Sequence, residues 1–360
     1  MSTRASIASA RLRAGLLLPA LSLVWACSAQ SGDGASGAGG GPSEPGGSTT
    51  IGSSGSGTVG SGVTSSSAAG SGSGGAGSGV TSGATSTSAA SAGSGGDGAG
   101  SVAASSGVGG GVVPTGDPLE LLREFTPADE ELAEAYEGYI TEEVGPLTYA
   151  TEGTGTARTI SQTLFVPPNA VYDGKGETLT ADVAAMRCDT SKGEQAESQR
   201  PFFLLAPGAS VKNVTIAYPG CEGIHMMGDN ALENITWEDV GEDAASVRSY
   251  FPGGAITIKD SKGYKAADKM FQFNAPCDVR IESFTGAEMG KLVRQNGGTG
   301  FELHIDLNTV TVTGVVSAVV QSDSPLCFVR HHNLTYEFAG SGDKSDRVFR
   351  DVPPENVTEY

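Results

Sequence analysis

"GASVKNVTI" (208–216) laid over "DNALENITW" (229–237) matches Val211 with Leu232, Val214 with Ile235 and Ile216 with Trp237. Comparable runs follow: "GAITIKD" (254–260), "CDVRIESF" (277–284) and "FELHIDL" (301–307). A second run trails each within the same interval, namely "GIHMM" (223–227), "AASVR" (244–248), "KMFQF" (269–273), "KLVRQ" (291–295) and "SAVVQ" (317–321). An interval of roughly 20–25 residues is one coil of a solenoid. Short β-rich runs with no helix-length pattern between them predict an all-β parallel β-helix, with equivalent positions stacked about 4.8 Å apart. An antiparallel sandwich would place hairpin dipeptides at strand ends. Asn-Gly occurs only at Asn296-Gly297.

Stacking would turn this repeat into chemistry. With the second runs in register, Glu222 is expected above Asp243 and Asp268, and Lys269 beside Lys291 in the next column.

Outward from the repeat, composition changes sharply. Residues 28–116 are almost all Gly, Ser, Ala, Thr and Val. Such a stretch cannot bury enough apolar surface to offset its ordering entropy. It reads as a disordered tether with a random-coil span on the order of 50 Å. Ahead of it, Arg4, Arg11 and Arg13 precede an apolar run ending at Cys27, the layout of a secretory signal peptide over residues 1–26. "LVWAC" (23–27) also resembles a bacterial lipobox, in which the cysteine is lipidated. The run is short for a membrane span. Residues 27–116 are then the lipobox cysteine and linker, and the chain is expected to be secreted or held at the cell surface through Cys27.

Residues 117–157 are expected to form a short helical segment. "DPLE" (117–120) and "TPAD" (126–129) each offer a capping residue, a proline at a helix start and an acid in the first turn. The β-helix is expected over residues 158–360. The formal net charge is -19, so nucleic acid is excluded as a natural partner. Cys188, Cys221, Cys277 and Cys327 permit two disulfides in an exported chain, with three possible connectivities. None forms a CxxC pair of the kind structural zinc sites use.

From about residue 158 to 335 the chain resembles the polysaccharide lyase family 3 pectate lyases. The stretches that carry this are "VYDGKGETLTA" (171–181), "GIH" (223–225), "WEDVGEDA" (237–244), "ADKMFQFN" (267–274) and "GKLVR" (290–294), in matching order and spacing. The resemblance implies a right-handed parallel β-helix in one domain, and cleavage of polygalacturonate by Ca2+-assisted β-elimination. It places Glu222, Glu242 and Asp243 at calcium-ligand positions, Glu222 standing where the family usually has Asp. Lys269, Lys291 and Arg294 match the basic catalytic cluster, and Glu197 matches a further acidic position in the cleft. Ala267 departs from the paired Asp often found before the first lysine.

Physical chemistry agrees with these roles. Calcium takes six to eight oxygen ligands, which carboxylates on adjacent coils can supply in part. Elimination removes the proton at C5, and a metal on the neighbouring carboxylate stabilises the developing anion. The base must be neutral when it acts. Lys269, its pKa lowered by the cation, Lys291 and Arg294, is the expected base, and Arg294 is the close alternative although arginine resists deprotonation. Lys291 and Arg294 would then grip substrate carboxylates, and Glu197 is expected among the substrate-binding residues by the same resemblance. The odd spacing of Lys291 and Arg294 demands a turn or bulge between them.

Blander roles fall to other residues. Glu238, Asp239, Lys259, Lys262 and Lys265 read as surface groups, His225 as a structural histidine beside the cleft, and Trp237 and Phe271 as core. His331 and His332 form no HExxH pattern. A monomer is expected. Two other functions stay open: a hydrolase on the same scaffold, which needs a carboxylate acid and base around a water, and a non-catalytic polysaccharide binder.

Overall fold

The computed structural model describes residues 114–150, 152–191, 196, 198–251 and 254–360. The residues read as a signal peptide (1–26), Cys27, the residues up to 113 read as a tether, and Glu197 lie outside these residues. The strands described all pair in parallel, each coil on the next, as a β-solenoid of about eight turns.

Three faces make up each coil. The first runs through Ala255–Lys259, whose neighbours are residues 231–233 on one side and 278–282 on the other. Alternate residues point inward, so Val211, Leu232, Ile258, Ile281 and Leu307 stack as one buried column. The second face carries Ile216, Trp237 and Gly263 in a row. Trp237 packs edge-on against Phe271 at 5.9 Å between centroids, and Phe271 against Phe284 at 5.3 Å. Both Trp237 and Phe271 are therefore core, as expected. The third face stacks Ile224–Met226, Asp243–Val247 and residues 269–273, 291–295 and 318–321. The aligned stretches quoted first pair Val211 with Leu232, Val214 with Ile235 and Ile216 with Trp237.

Corners between faces are left-handed residues that repeat from coil to coil. Asn213, Asn234, Asp260, Ser283, Thr309 and Asn333 have φ between 51° and 58°, and divide the first face from the second. This conformation costs an L-residue about 1–2 kcal/mol, least for Asn and Asp. A side-chain ladder offsets the cost: Asn234 Nδ2 donates to Asn213 Oδ1 and Asn213 Nδ2 to Asp173 Oδ1, each at 2.8 Å. Lys265, Glu288 and Gly314 turn the second corner in the same way.

Two helices precede the coils, Pro118–Arg123 and Glu130–Gly138. Asp117 and Asp129 cap them by accepting from Leu119 N, and from Glu131 N and Leu132 N. The second helix widens into a π-turn, Tyr139–Glu143, rather than stopping. Leu122, Tyr136, Tyr139, Ile140 and Val144 form a second core with Phe165, Leu204, Met227 and Phe251, on the outside of the third face. Strand pairing begins at Leu147–Tyr149, which pairs with residues 163–165, so a coil strand falls inside the segment read as helical.

One disulfide, Cys188–Cys221, is present with Cα atoms 4.8 Å apart. Cys277 and Cys327 are buried and free, because both lie opposite Leu303 and so sit two rungs apart. That is about 9.6 Å, beyond the reach of a disulfide.

Candidate active site

Glycines bring the acidic segments together. Gly223 has φ +55°, and a Cβ there would stand 2.2 Å from the carbonyl oxygen of Ala244. At Gly241 a Cβ would stand 2.4 Å from the Cys221 carbonyl oxygen. Only glycine lets the two coils approach so closely, and the approach sets Glu222 beside Glu242 and Asp243. The disulfide holds Cys221, the residue before Glu222, from the other side.

Asp243 pairs with Lys269, and Lys269 with Lys291. Glu222 does not join this column, contrary to expectation: Glu242 N donates to the Cys221 oxygen, which sets Glu222 against Glu242. The column thus runs from one carboxylate to two ammonium groups. The expected place of Asp268 in it is corrected: a bulge between Ala266 and Lys269 puts the lysine there and Asp268 to one side. Asp268 instead bridges the lysines, 3.0 Å from Lys269 Nζ and in contact with Lys291 Nζ.

Lys269 is buried. Its ammonium lies 3.0 Å from Glu242 Oε1 and 3.5 Å from Asp243 Oδ1. Burial works to lower its pKa, but Asp243, Glu242 and Asp268 outweigh burial and raise it. A lysine depressed by Lys291 and Arg294 is therefore not what the protein's own groups produce. Asp243 is pushed up to about 6 by burial, despite Lys269 nearby, with Glu242 adding to the rise. Asp243 Oδ2 accepts from Ser246 Oγ at 2.7 Å, while its buried Oδ1 has no hydrogen-bond donor.

Glu222 turns toward His225, whose Nε2 lies 3.4 Å from Glu222 Oε2. His225 Nδ1 faces the Tyr139 hydroxyl at 2.9 Å. Burial, with Arg248 adding to it, lowers the His225 pKa well below the ordinary value, and burial raises that of the Tyr139 phenol. In a neutral ring that accepts from Tyr139 at Nδ1, Nε2 would carry the proton and face Glu222. Glu222 does not share one point with Glu242 and Asp243: among the described residues no three His, Cys, Asp or Glu side chains converge closely enough to hold a metal ion.

Arg294 pairs with Asp323 through Nη1 at 2.6 Å, and Gly298 N donates to the same carboxylate at 3.0 Å. Between Lys291 and Arg294 the strand pairing stays regular on both sides, so there is no bulge. The strand bends instead, with Leu292 and Val293 both in the core and the two cations both outside it. Met270–Phe271 and Ala244–Ala245 repeat the bend on earlier coils.

Sequence reasoning missed Tyr139, Ser246 and Asp323. Ser246 shares a strand with Asp243, and Asp323 follows Gln321, the partner of Arg294 one coil on. Tyr139 lies 86 residues from His225, a distance that no local pattern spans. Asp239 pairs with Lys265 at 2.9 Å away from this cluster.

A family model described as pectate lyase matches residues 148–340, more than half the chain. The chain belongs to the pectate lyase family. Among pectate lyases, it is similar to the probable pectate lyase D of Emericella nidulans, 28% identical over 220 residues that cover 57% of this chain and 80% of that one. The probable pectate lyase E of Neosartorya fischeri is 34% identical over 147 residues, 41% of this chain and 54% of that one. The catalytic domain of pectate lyase PelI from Erwinia chrysanthemi aligns over 59% of this chain and all of its own, at 20% identity and a TM-score of 0.38. That overlap is too loose to argue from. The pectate lyase match takes in Glu222, Glu242, Asp243, Lys269, Lys291 and Arg294, but begins after Tyr139.

Proposed function

We propose that the protein is a pectate lyase that cleaves α-1,4-polygalacturonate by Ca2+-assisted β-elimination, releasing unsaturated oligogalacturonides outside the cell. The observation that carries this reading is the column of Asp243, Lys269 and Lys291, with Glu242 and Asp268 against Lys269, lying wholly within the family match.

Glu222, Glu242 and Asp243 are the residues that the family resemblance assigns to calcium; as placed, Glu222 would have to turn from His225 to join the other two. Their oxygens are hard donors suited to it, and the buried Oδ1 of Asp243 has no hydrogen-bond donor. When bound, the cation withdraws charge from a substrate carboxylate and stabilises the anion formed at C5. The protein's own cations do the rest. Arg294, braced by Asp323, presents a planar guanidinium suited to bidentate capture of a uronate carboxylate. Lys291 offers a point charge one coil from Lys269.

Lys269 is assigned as base, with Arg294 as the alternative. As placed, its ammonium is held by three carboxylates and cannot accept a proton. It must leave Glu242 and Asp243 and lose a proton before it can take the one at C5. Glu197 is assigned to substrate binding by resemblance, and attachment at Cys27 would keep the enzyme at the cell surface.

Polygalacturonate incubated with the purified protein, with calcium and then with chelator, tests the reading. Ultraviolet absorbance of the new double bond should rise with calcium and stop with chelator. No rise between neutral and alkaline pH refutes the lyase. Reducing ends without absorbance would point to hydrolysis, and binding without product to an adhesin. Lys269→Ala should lower kcat at least about 100-fold, the usual contribution of a positioned base, and retain calcium binding, at least as tight as wild type because Glu242 and Asp243 lose a competing cation. Unaltered turnover would remove Lys269 from the mechanism.

A further inference from the structure

We infer that Arg350 is a further substrate-binding residue. It repeats the Arg294 guanidinium on the same outward row of the third face, two rungs further along the solenoid. There it would take a carboxylate of a uronate chain lying along the axis. This inference rests on the proposed action on polygalacturonate, and it adds a residue that lies beyond the 148–340 family match.

The register builds the row. His225, Ser246, Gln272, Arg294, Gln321 and Arg350 occupy equivalent positions on successive coils. The last of them comes from Phe349–Arg350, a short strand that closes the third face by pairing with Val320 and Gln321. Phe349 packs against the core, so Arg350 turns outward, its side chain 42% exposed. Equivalent positions stack about 4.8 Å apart, which sets the Arg350 backbone roughly 9.6 Å from that of Arg294. A 1,4-linked pyranose advances its chain by about one such rung. Carboxylates on alternate sugars therefore match the two guanidiniums, with Gln321 on the rung between them.

Arg350 is held in place without being covered. Its Nη1 donates to Ser317 Oγ at 3.2 Å, and its Nε lies 3.6 Å from Asp351 Oδ2. The same Asp351 oxygen accepts from Gln321 Nε2 at 3.2 Å. Arg294 is braced in like manner by Asp323. A guanidinium carries five N–H donors in a fixed fork, so one bracing carboxylate leaves donors for another. In a chain of net charge -19, an anionic polymer is repelled from most of the surface, and a row with two outward guanidiniums is where it can be held. A methyl ester carries no charge, so this row would favour free uronates over esterified ones.

Calorimetric titration of the full-length protein with hexagalacturonate tests this, at low salt and in chelator, where the proposed elimination does not run. Arg350→Ala should weaken binding roughly fivefold, the upper end for an exposed ion pair. Arg350→Lys should keep part of the affinity, since the charge remains but the fork is lost. The difference between wild type and Arg350→Ala should shrink as salt is added, and vanish with fully methyl-esterified hexagalacturonate. With calcium, Arg350→Ala should raise KM for polygalacturonate and leave kcat unchanged, as loss of binding common to ground and transition states does. Equal affinities of wild type and Arg350→Ala overturn the inference, and so does a wild type that binds no hexagalacturonate. An equal loss for the methyl ester also overturns it, being the mark of a loosened last coil rather than a lost ion pair. A charge-dependent loss in Arg350→Ala with no double bond formed in calcium keeps Arg350 and removes the lyase. Elimination with unchanged affinities keeps the lyase and removes Arg350.

Discussion

Removing the Cys188–Cys221 disulfide is a direct test of how the acidic segment is held. The two cysteines are 33 residues apart. For a loop of that length the chain-entropy relation gives a loss of about 3.7 kcal/mol at 25 °C when the crosslink is absent. A domain of this size shifts by roughly 2–4 °C per kcal/mol, so the double variant Cys188→Ala/Cys221→Ala should melt roughly 7–15 °C lower. The loss should also reach the site. Cys221 carries its backbone against Gly241 and immediately precedes Glu222, so freeing it loosens the coil that presents the carboxylates. Differential scanning calorimetry without calcium gives the first number, and calcium titration well below the melting point gives the second. Reduced wild-type protein should match the variant, because Cys277 and Cys327 are already free thiols. A fall in melting temperature below about 2 °C would refute the reasoning, since the crosslink would then constrain nothing in the unfolded chain.

Gly223→Ala should destabilise by more than the roughly 1–2 kcal/mol that a left-handed residue costs, because its Cβ would stand 2.2 Å from the Ala244 oxygen. Calcium affinity should drop with it, and a variant as stable as wild type would show that the coils have room to part. At Asp323, burial raises the pKa but Arg294 and the Gly298 N–H together lower it. A depressed carboxylate stabilises the fold above the ordinary carboxylate range, and that stability is lost as pH falls through the lowered value. Asp323→Asn should thus melt less acid-sensitively than wild type between pH 5 and 2, by under about 1 kcal/mol for so exposed a pair. Parallel pH profiles would refute the pairing.

The coil stacking was legible because a parallel solenoid repeats its inward apolar positions at each turn, and Val211, Leu232, Ile258, Ile281 and Leu307 announce one such column. The meeting of Lys269 and Lys291 was legible because each opens a second run, and these runs fall into register with Asp243, which stands just ahead of another. Its fine alignment was not. A single bulged residue between Ala266 and Lys269 exchanged Asp268 for Lys269 in the column, and bulges leave no mark in an apolar pattern. The charge state of Lys269 was equally hidden. Its surroundings depend on which way Asp268, Glu242 and Asp243 turn, and three carboxylates around one ammonium reverse the sign that two neighbouring cations suggested. Tyr139 escaped because its role is a tertiary contact from a helix outside the repeat.

The corner residues carry a consequence for how such a molecule can change over evolutionary time. Passing from Val211 to Leu232 takes 21 residues, and from Leu232 to Ile258 takes 26, yet both steps land on the same inward position of the same face. From Ile258 to Ile281 the step is 23, and from Ile281 to Leu307 it is 26. A one-residue insertion within a strand would turn every later side chain on that face inside out. At a turn the same insertion is absorbed before the next strand begins. Lineages can therefore lengthen or trim the turns between strands while the column of Asp243, Lys269 and Lys291 inherits its spacing unchanged.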